Sequence, residues 1–217
     1  MDQMPSVLIT DEMFAKGESL KAQLKVNRTQ ESKQDTIVGI VGELAFAQWF
    51  MGDWRLLKPA HTKGKADIAD RIEIKSSAYP MSVDLNLVVR EDYAEKRQPE
   101  AYVQMILDTP AGGASIEPGM TCFVTGWTVH DRVIQDPPEY LKSQKNKRTG
   151  YKSYLVPIPE LRPMSSFTFC PIEIRKQMDA LNNKAAFAKF DGFGGRRSGW
   201  VSKKPAVAGL GDEGPSP

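Results

Sequence analysis

One apolar segment limits what this chain can fold into. Residues 37–51 lie in a helix predicted from about Ser32 to Met51, and they contain a single charged residue, Glu43. The helix face that carries Glu43 is not a polar stripe, and burying an unpaired carboxylate is costly. We therefore expect the helix to pack on a sheet and to bring Glu43 to partners at a site. An exposed Glu43 at a break in the packing is the alternative.

Two glycines in the same segment also favour close packing. Gly39 and Gly42 are poor helix formers, each costing about 1 kcal/mol relative to alanine. A close approach of this helix to a sheet would explain both glycines.

The remaining chain alternates between helical and strand patterns. Further helices are predicted at about 11–26 and 171–190. Strands are predicted at 54–57, 66–69, 71–77, 85–89, 101–107 and 121–129, with a short one inside 153–164. This order indicates an α/β or α+β sheet domain over residues 1–190. Residues 191–217 are predicted to be a flexible tail rich in glycine and proline.

The strand RIEIKSS, residues 71–77, has the sharpest alternation in the chain. Ile72 and Ile74 point to one face, which supplies the core contact, and Glu73 and Lys75 share the other face. The alternative is that these two charges are only the wet face of an ordinary edge strand. The Glu-x-Lys spacing is weak evidence by itself, because it also occurs at residues 31–33 outside any strand pattern.

A turn at residues 69–71 would bring Asp67 next to Glu73. Two converging carboxylates suit a hard cation such as Mg²⁺, which prefers oxygen ligands. Lys75 beside them adds a positive charge that can act on the attacking water, so the set fits phosphodiester hydrolysis. The packed helix would deliver Glu43 to the same place.

The segments GIVGELAFAQWF and KADIADRIEIKSS resemble the PD-(D/E)xK nuclease superfamily over residues 36–77. That pattern is a helical Gly-x-x-Gly-Glu, then an Asp, then Glu-x-Lys on the next strand. The resemblance implies an α/β fold with a restriction-endonuclease-like core, in which helices flank a mixed central sheet. It also implies a Mg²⁺-dependent nuclease site, in which Mn²⁺ is a possible substitute. We expect DNA as the substrate, and the sequence leaves open RNA as an alternative and the choice between endonuclease and exonuclease action.

By position, the resemblance implies a role for each site residue. Asp67 and Glu73 would be metal ligands, Lys75 the catalytic lysine and Glu43 an additional carboxylate. The backbone carbonyl of Ile74 would be a further ligand. Ala66 stands where the pattern often has proline, and Asp70 is the alternative to Asp67.

Charge is divided unevenly along the chain. The total is +2, yet residues 1–140 carry −6 and residues 141–204 carry +10. Such asymmetry favours a polyanionic partner, here DNA, although solvated loops are the alternative. The candidate phosphate contacts are Lys63, Lys65, Lys145, Lys147 and Arg148. We expect the basic segment to lie around the mouth of the carboxylate site.

Other features concern the setting of the protein. The sequence contains no run of about 18 apolar residues, so no membrane span is expected. Its first residues do not have the basic-then-apolar pattern of a signal peptide. Two cysteines cannot make a disulfide framework, so a reducing cytoplasm is expected. A homodimer is compatible with the resemblance, but no interface pattern indicates one. An inactive nuclease fold that binds nucleic acid or a protein is the alternative function.

Overall fold

The structure is a computed structural model. The structure describes residues 4–23, 33–57, 65–82, 84–112, 114–142 and 150–191. The chain divides into two units, residues 1–182 and 183–217. The first unit contains every element described below except the end of the last helix. Most of the second unit lies outside the described residues, including all of the predicted tail except Asp191, which ends the last helix.

Two N-terminal helices follow a short strand, β1 (Ser6–Leu8). Helix α1 (Asp11–Gln23) begins after Thr10, whose Oγ1 accepts a hydrogen bond from the Met13 N–H at 3.2 Å. Helix α2 (Lys33–Met51) corresponds to the apolar segment, and a 3₁₀ turn (Trp54–Leu56) follows it. None of the helices in the described ranges is long and apolar enough to cross a membrane.

The strands form two sheets. The strands after β1 are β2 (Ile72–Tyr79), β3 (Asn86–Arg90), β4 (Ala101–Asp108), β5 (Thr121–Thr128), β6 (Glu139–Lys142) and β7 (Gly150–Pro157). The first sheet is mixed and has the order β1–β5–β4–β2, with β2 parallel to β4 and the other pairs antiparallel. The second sheet is antiparallel and has the order β3–β7–β6. The short helices α3 (Glu91–Ala94) and α4 (His130–Val133) follow β3 and β5, and α5 (Pro171–Asp191) comes last.

The first sheet is covered on both faces. Helix α2 packs on one face, where its apolar residues join Ile72 and Ile74 of β2 in the larger core cluster. The second sheet covers the other face, where Tyr102 and Ile106 of β4 pack with residues of β3 and β7. The first unit is thus a mixed α/β structure, as the sequence pattern predicts.

The helix–sheet contact is close at Gly42 and open at Gly39. A Cβ added to Gly42 would lie 1.9 Å from Ser76 Oγ, so only glycine fits there. A Cβ added to Gly39 would meet no described atom within 4 Å. Close packing therefore explains Gly42, and the same explanation for Gly39 is wrong.

Two predicted strands are not strands. Residues 54–56 form the 3₁₀ turn, which Leu57 ends, because the Asp53 carboxylate accepts a hydrogen bond from the Arg55 N–H at 2.9 Å and caps the turn. Residues 66–69 contribute only an isolated bridge between Ile68 and Ile72. Conversely, β1 and β6 were not predicted, since neither has an alternating apolar pattern.

Candidate functional site

A tight turn places Asp67 beside strand β2. Ala69 and Asp70 both have left-handed backbones, with φ of 54° and 59°. Backbone hydrogen bonds of 3.0 and 3.1 Å connect Ile68 and Ile72 across the turn. As a result, Asp67 Oδ2 accepts a hydrogen bond of 2.8 Å from the Ile74 N–H. This contact forms at the edge of the first sheet, where β4 is the neighbouring strand of β2 in the described residues.

Glu73 is buried between two cations. Its residue exposure is 4%, although it lies on the strand face opposite Ile72 and Ile74. Lys75 Nζ lies 2.7 Å from Glu73 Oε1, and Arg97 Nη1 lies 3.3 and 3.4 Å from the two carboxylate oxygens. The interpretation of Glu73 as the wet face of an edge strand is therefore wrong.

Glu43 joins this cluster electrostatically. Loss of hydration raises the pKa of the Glu43 carboxyl well above its ordinary value, and the charges of Asp67 and Glu73 raise it further. Lys75 opposes this rise. Glu43 is thus neither at an open break in the packing nor remote from the strand, because it interacts with the residues that the sequence groups with it.

Asp67 is also a perturbed acid. Loss of hydration, followed by repulsion from Glu73, raises the pKa of Asp67 to about 7. Lys75, the Ile74 N–H and Arg97 act in the opposite direction but do not cancel the rise. Two acids with raised pKa values beside a third carboxylate indicate a site with more negative charge than its protein cations neutralise.

The carboxylates are not arranged as metal ligands. Within the described ranges, no three His, Cys, Asp or Glu side chains have the mutual placement of a metal centre. The Glu73 oxygens face Lys75 and Arg97, and Asp67 Oδ2 faces a backbone N–H. The donor chemistry nevertheless fits a hard divalent cation, because these residues supply only oxygen ligands and an unneutralised negative charge.

The other candidate residues lie apart from this cluster or outside the described ranges. Asp70 is exposed and accepts hydrogen bonds from Lys65 Nζ at 2.8 Å and from the Ala66 N–H at 3.1 Å. Asp67, which faces Ile74, is consequently the better candidate ligand. Lys63 and the cluster Lys145, Lys147 and Arg148 are outside the described residues, so the predicted position of the basic segment stays a prediction.

Three residues of the site region have no counterpart in the sequence interpretation. Arg97 follows α3 and pairs with Glu73, and the Tyr93 ring lies 5.9 Å from Lys75 Nζ. Gln104 is in register with Lys75 on β4, is 1% exposed and has an Oε1 atom without a hydrogen-bond partner in the described structure. Gln104 had a visible signal, since it is the one polar residue in the run AYVQMIL. Arg97 and Tyr93 had none, because their contacts depend on the return of the chain to β2.

Comparisons with known proteins add no assignment. No family model, curated protein or solved structure matches this chain. The site must therefore be interpreted from its own chemistry.

Proposed function

We propose that this chain is a Mg²⁺-dependent nuclease that hydrolyses DNA phosphodiester bonds, built on a restriction-endonuclease-like core. One observation carries the proposal. Three carboxylates, those of Glu43, Asp67 and Glu73, interact with one another beside Lys75 at the free edge of β2. Acids with perturbed pKa values cluster at functional sites, and a bound cation would relieve the repulsion between these carboxylates.

The residues have separable roles in this mechanism. Asp67, Glu73, Glu43 and the Ile74 carbonyl would hold Mg²⁺, or Mn²⁺ in its place. The ion would supply charge neutralisation at the phosphate and a more acidic water. Lys75 Nζ would donate hydrogen bonds that orient the attacking water and stabilise the negative charge that develops at phosphorus. Water would attack phosphorus and lose a proton to solvent, the bond to the leaving oxygen would break, and that oxygen would take up a proton from solvent.

Glu73 would have to change its partners in order to bind a metal ion. Lys75 and Arg97 occupy the Glu73 oxygens at distances of 2.7 to 3.4 Å. To coordinate the metal, Glu73 would therefore have to give up its contacts with these two cations. After the exchange, Lys75 would be available for the substrate.

Cleavage assays test the proposal. Purified protein is incubated with linear, circular and branched DNA and with RNA, in Mg²⁺, Mn²⁺ or EDTA. We expect metal-dependent cutting of DNA that is lost, by about two orders of magnitude or more, in Lys75→Ala and Asp67→Asn. Asp70→Asn is the matched control and should cut like the wild type. Equal cutting by Lys75→Ala and the wild type would disprove the mechanism.

A second function has an observation in its favour. The pairing of Glu73 with Lys75 and Arg97 leaves no assembled metal centre in the described residues. An inactive nuclease-like protein that binds nucleic acid or a protein would retain a Glu73 that is paired with protein cations in this way. Binding of DNA without cutting of any substrate, in either metal, would favour this function over catalysis.

A further inference from the structure

Three cations from three parts of the chain surround one aromatic ring beside the carboxylate site. The Tyr93 ring centroid lies 5.9 Å from Lys75 Nζ, 4.8 Å from Arg90 Cζ and 5.3 Å from Arg97 Cζ. Lys75 is on β2, Arg90 ends β3 and Arg97 follows α3. The ring thus connects the residues that contact Glu73 with a cation on the second sheet.

Arg90 lies between two tyrosine rings. Its Cζ is 4.9 Å from the ring centroid of Tyr151 on β7, in addition to its contact with Tyr93. Asp92 accepts hydrogen bonds from Arg90 Nε at 2.9 Å and from Nη2 at 3.0 Å. Stacking and pairing together fix the plane of the guanidinium, which reduces the entropy lost when it binds a ligand.

The stacked arginines keep donors and contact with solvent. The Arg90 and Arg97 side chains are 29% and 21% exposed, and each guanidinium has five N–H donors. Within the described structure, Asp92 occupies two donor atoms of Arg90, and Glu73 occupies one of Arg97. The remaining donors suit phosphate oxygens, which guanidinium groups bind in a bidentate manner.

A buried hydroxyl next to Arg90 also lacks a partner. Ser153 is the antiparallel partner of Arg90 in the second sheet, so the two side chains share a face. Ser153 is fully buried, and its Oγ makes no hydrogen bond in the described structure. Buried hydroxyls normally have a hydrogen-bond partner, so Ser153 is an unsatisfied polar group beside Arg90, although its burial keeps it from contacting a phosphate directly.

We propose that Arg90 and Arg97, stacked on Tyr93, form a backbone-phosphate subsite for the nucleic-acid strand next to the carboxylate site. The subsite binds a phosphate neighbouring the one that is cut, and it contributes affinity without sequence preference. This inference takes its ligand class from the proposed nuclease function. It adds two binding residues to that function and an approach of the strand over α3 towards β7.

The test measures binding without catalysis. Labelled single-stranded and duplex oligonucleotides are titrated with protein in EDTA, by fluorescence anisotropy over a series of salt concentrations. We expect Arg90→Gln to weaken binding by about five- to tenfold and to lower the slope of log K against log salt by about one unit. Arg90→Lys, which keeps the charge but not the planar fork, should restore the slope and only part of the affinity. Arg97→Gln is a second variant with the same expected slope change.

Arg55→Gln is the matched control. Arg55 also stacks on an aromatic ring, Trp54 at 4.7 Å, and pairs with a carboxylate, but it lies at a cleft beside β1 and α1. Its substitution should leave the slope and affinity unchanged. Equal binding by Arg90→Gln, Arg97→Gln and Arg55→Gln would overturn the subsite.

Different results would refute the phosphate subsite and the nuclease function. Parallel cleavage assays with the wild type in Mg²⁺ report on catalysis alone. Normal cutting with arginine-independent binding would refute the subsite and leave the nuclease function intact. Loss of binding in Arg90→Gln without any cutting by the wild type would support the subsite on a non-catalytic nucleic-acid-binding protein.

Discussion

At the scale of single residues, Glu73 has a tightly constrained position. It is a carboxylate with 4% exposure on an edge strand, and two cations at 2.7 and 3.3 Å contact the same oxygen. Removing one member of a buried ion pair leaves a charge without compensation, which costs much more than breaking an exposed pair. The ion pairs of Glu73 therefore affect stability as well as the site.

Arg97→Gln is expected to destabilise the fold. We predict that it lowers the free energy of unfolding by about 1–3 kcal/mol, because Glu73 loses one of two charged partners in a buried position. Arg55→Gln removes a pair whose side chains are 58% and 70% exposed, so it should change stability by less than about 1 kcal/mol. Urea denaturation of both variants measures the difference. Equal effects of the two substitutions would show that the buried position of Glu73 does not matter.

At the scale of elements, the site depends on the packing contact between α2 and β2. The two glycines of α2 have different surroundings, since only Gly42 is close to Ser76. That contact sets how near the helix lies to the strand and therefore how far Glu43 reaches. Substitution of either glycine by alanine separates helix propensity from packing.

Gly42→Ala and Gly39→Ala should act in opposite directions. Alanine at position 42 would place a Cβ 1.9 Å from Ser76 Oγ and 2.7 Å from its Cβ, so helix and strand must move apart. We predict a loss of about 1–3 kcal/mol and weaker cleavage. Alanine at position 39 meets nothing in the described structure and should stabilise the protein by roughly 0.5–1 kcal/mol. Thermal unfolding and cleavage assays measure both effects. Similar results for the two variants would contradict this account of the contact between α2 and β2.

Local sequence predicts the elements that are continuously apolar or sharply alternating. Helix α2 and strand β4 are predictable because they are apolar on nearly every side, and β2 is predictable because apolar and polar residues alternate along it. The grouping of Asp67 with Glu73 was also accessible, because both flank one local turn. The contact of Arg97 with Glu73 is not predictable from local sequence, since the two residues belong to different parts of the chain that only tertiary packing brings together. The 3₁₀ turn after α2 was missed because a side-chain cap from Asp53 determines it.

At the scale of the whole molecule, the site places a cost on the metal-free fold. Asp67 has a pKa of about 7 in the folded chain, against an ordinary value near 4, and the pKa of Glu43 is also raised. Between those pH values the folded state retains protons that the unfolded state has released. Stability must therefore fall as pH rises through this window, since the unfolded state binds fewer protons there.

We predict that the protein in EDTA is more stable at pH 5 than at pH 8, by an amount on the order of a few kcal/mol from the raised carboxyl pKa values. Asp67→Asn removes one of the repelling charges, so it should reduce this fall and be more stable than the wild type at pH 8. Asp70→Asn changes an exposed carboxylate paired with Lys65 and should keep the wild-type pH dependence. Denaturant titrations from pH 5 to 8 give the comparison. Added Mg²⁺ should stabilise the wild type at pH 8 but not Asp67→Asn, because an ion that binds only the folded state stabilises it by mass action. An identical pH dependence in all three proteins would mean that neither burial nor the charge of Glu73 raises the pKa of Asp67, and the case for a cation site would then fail.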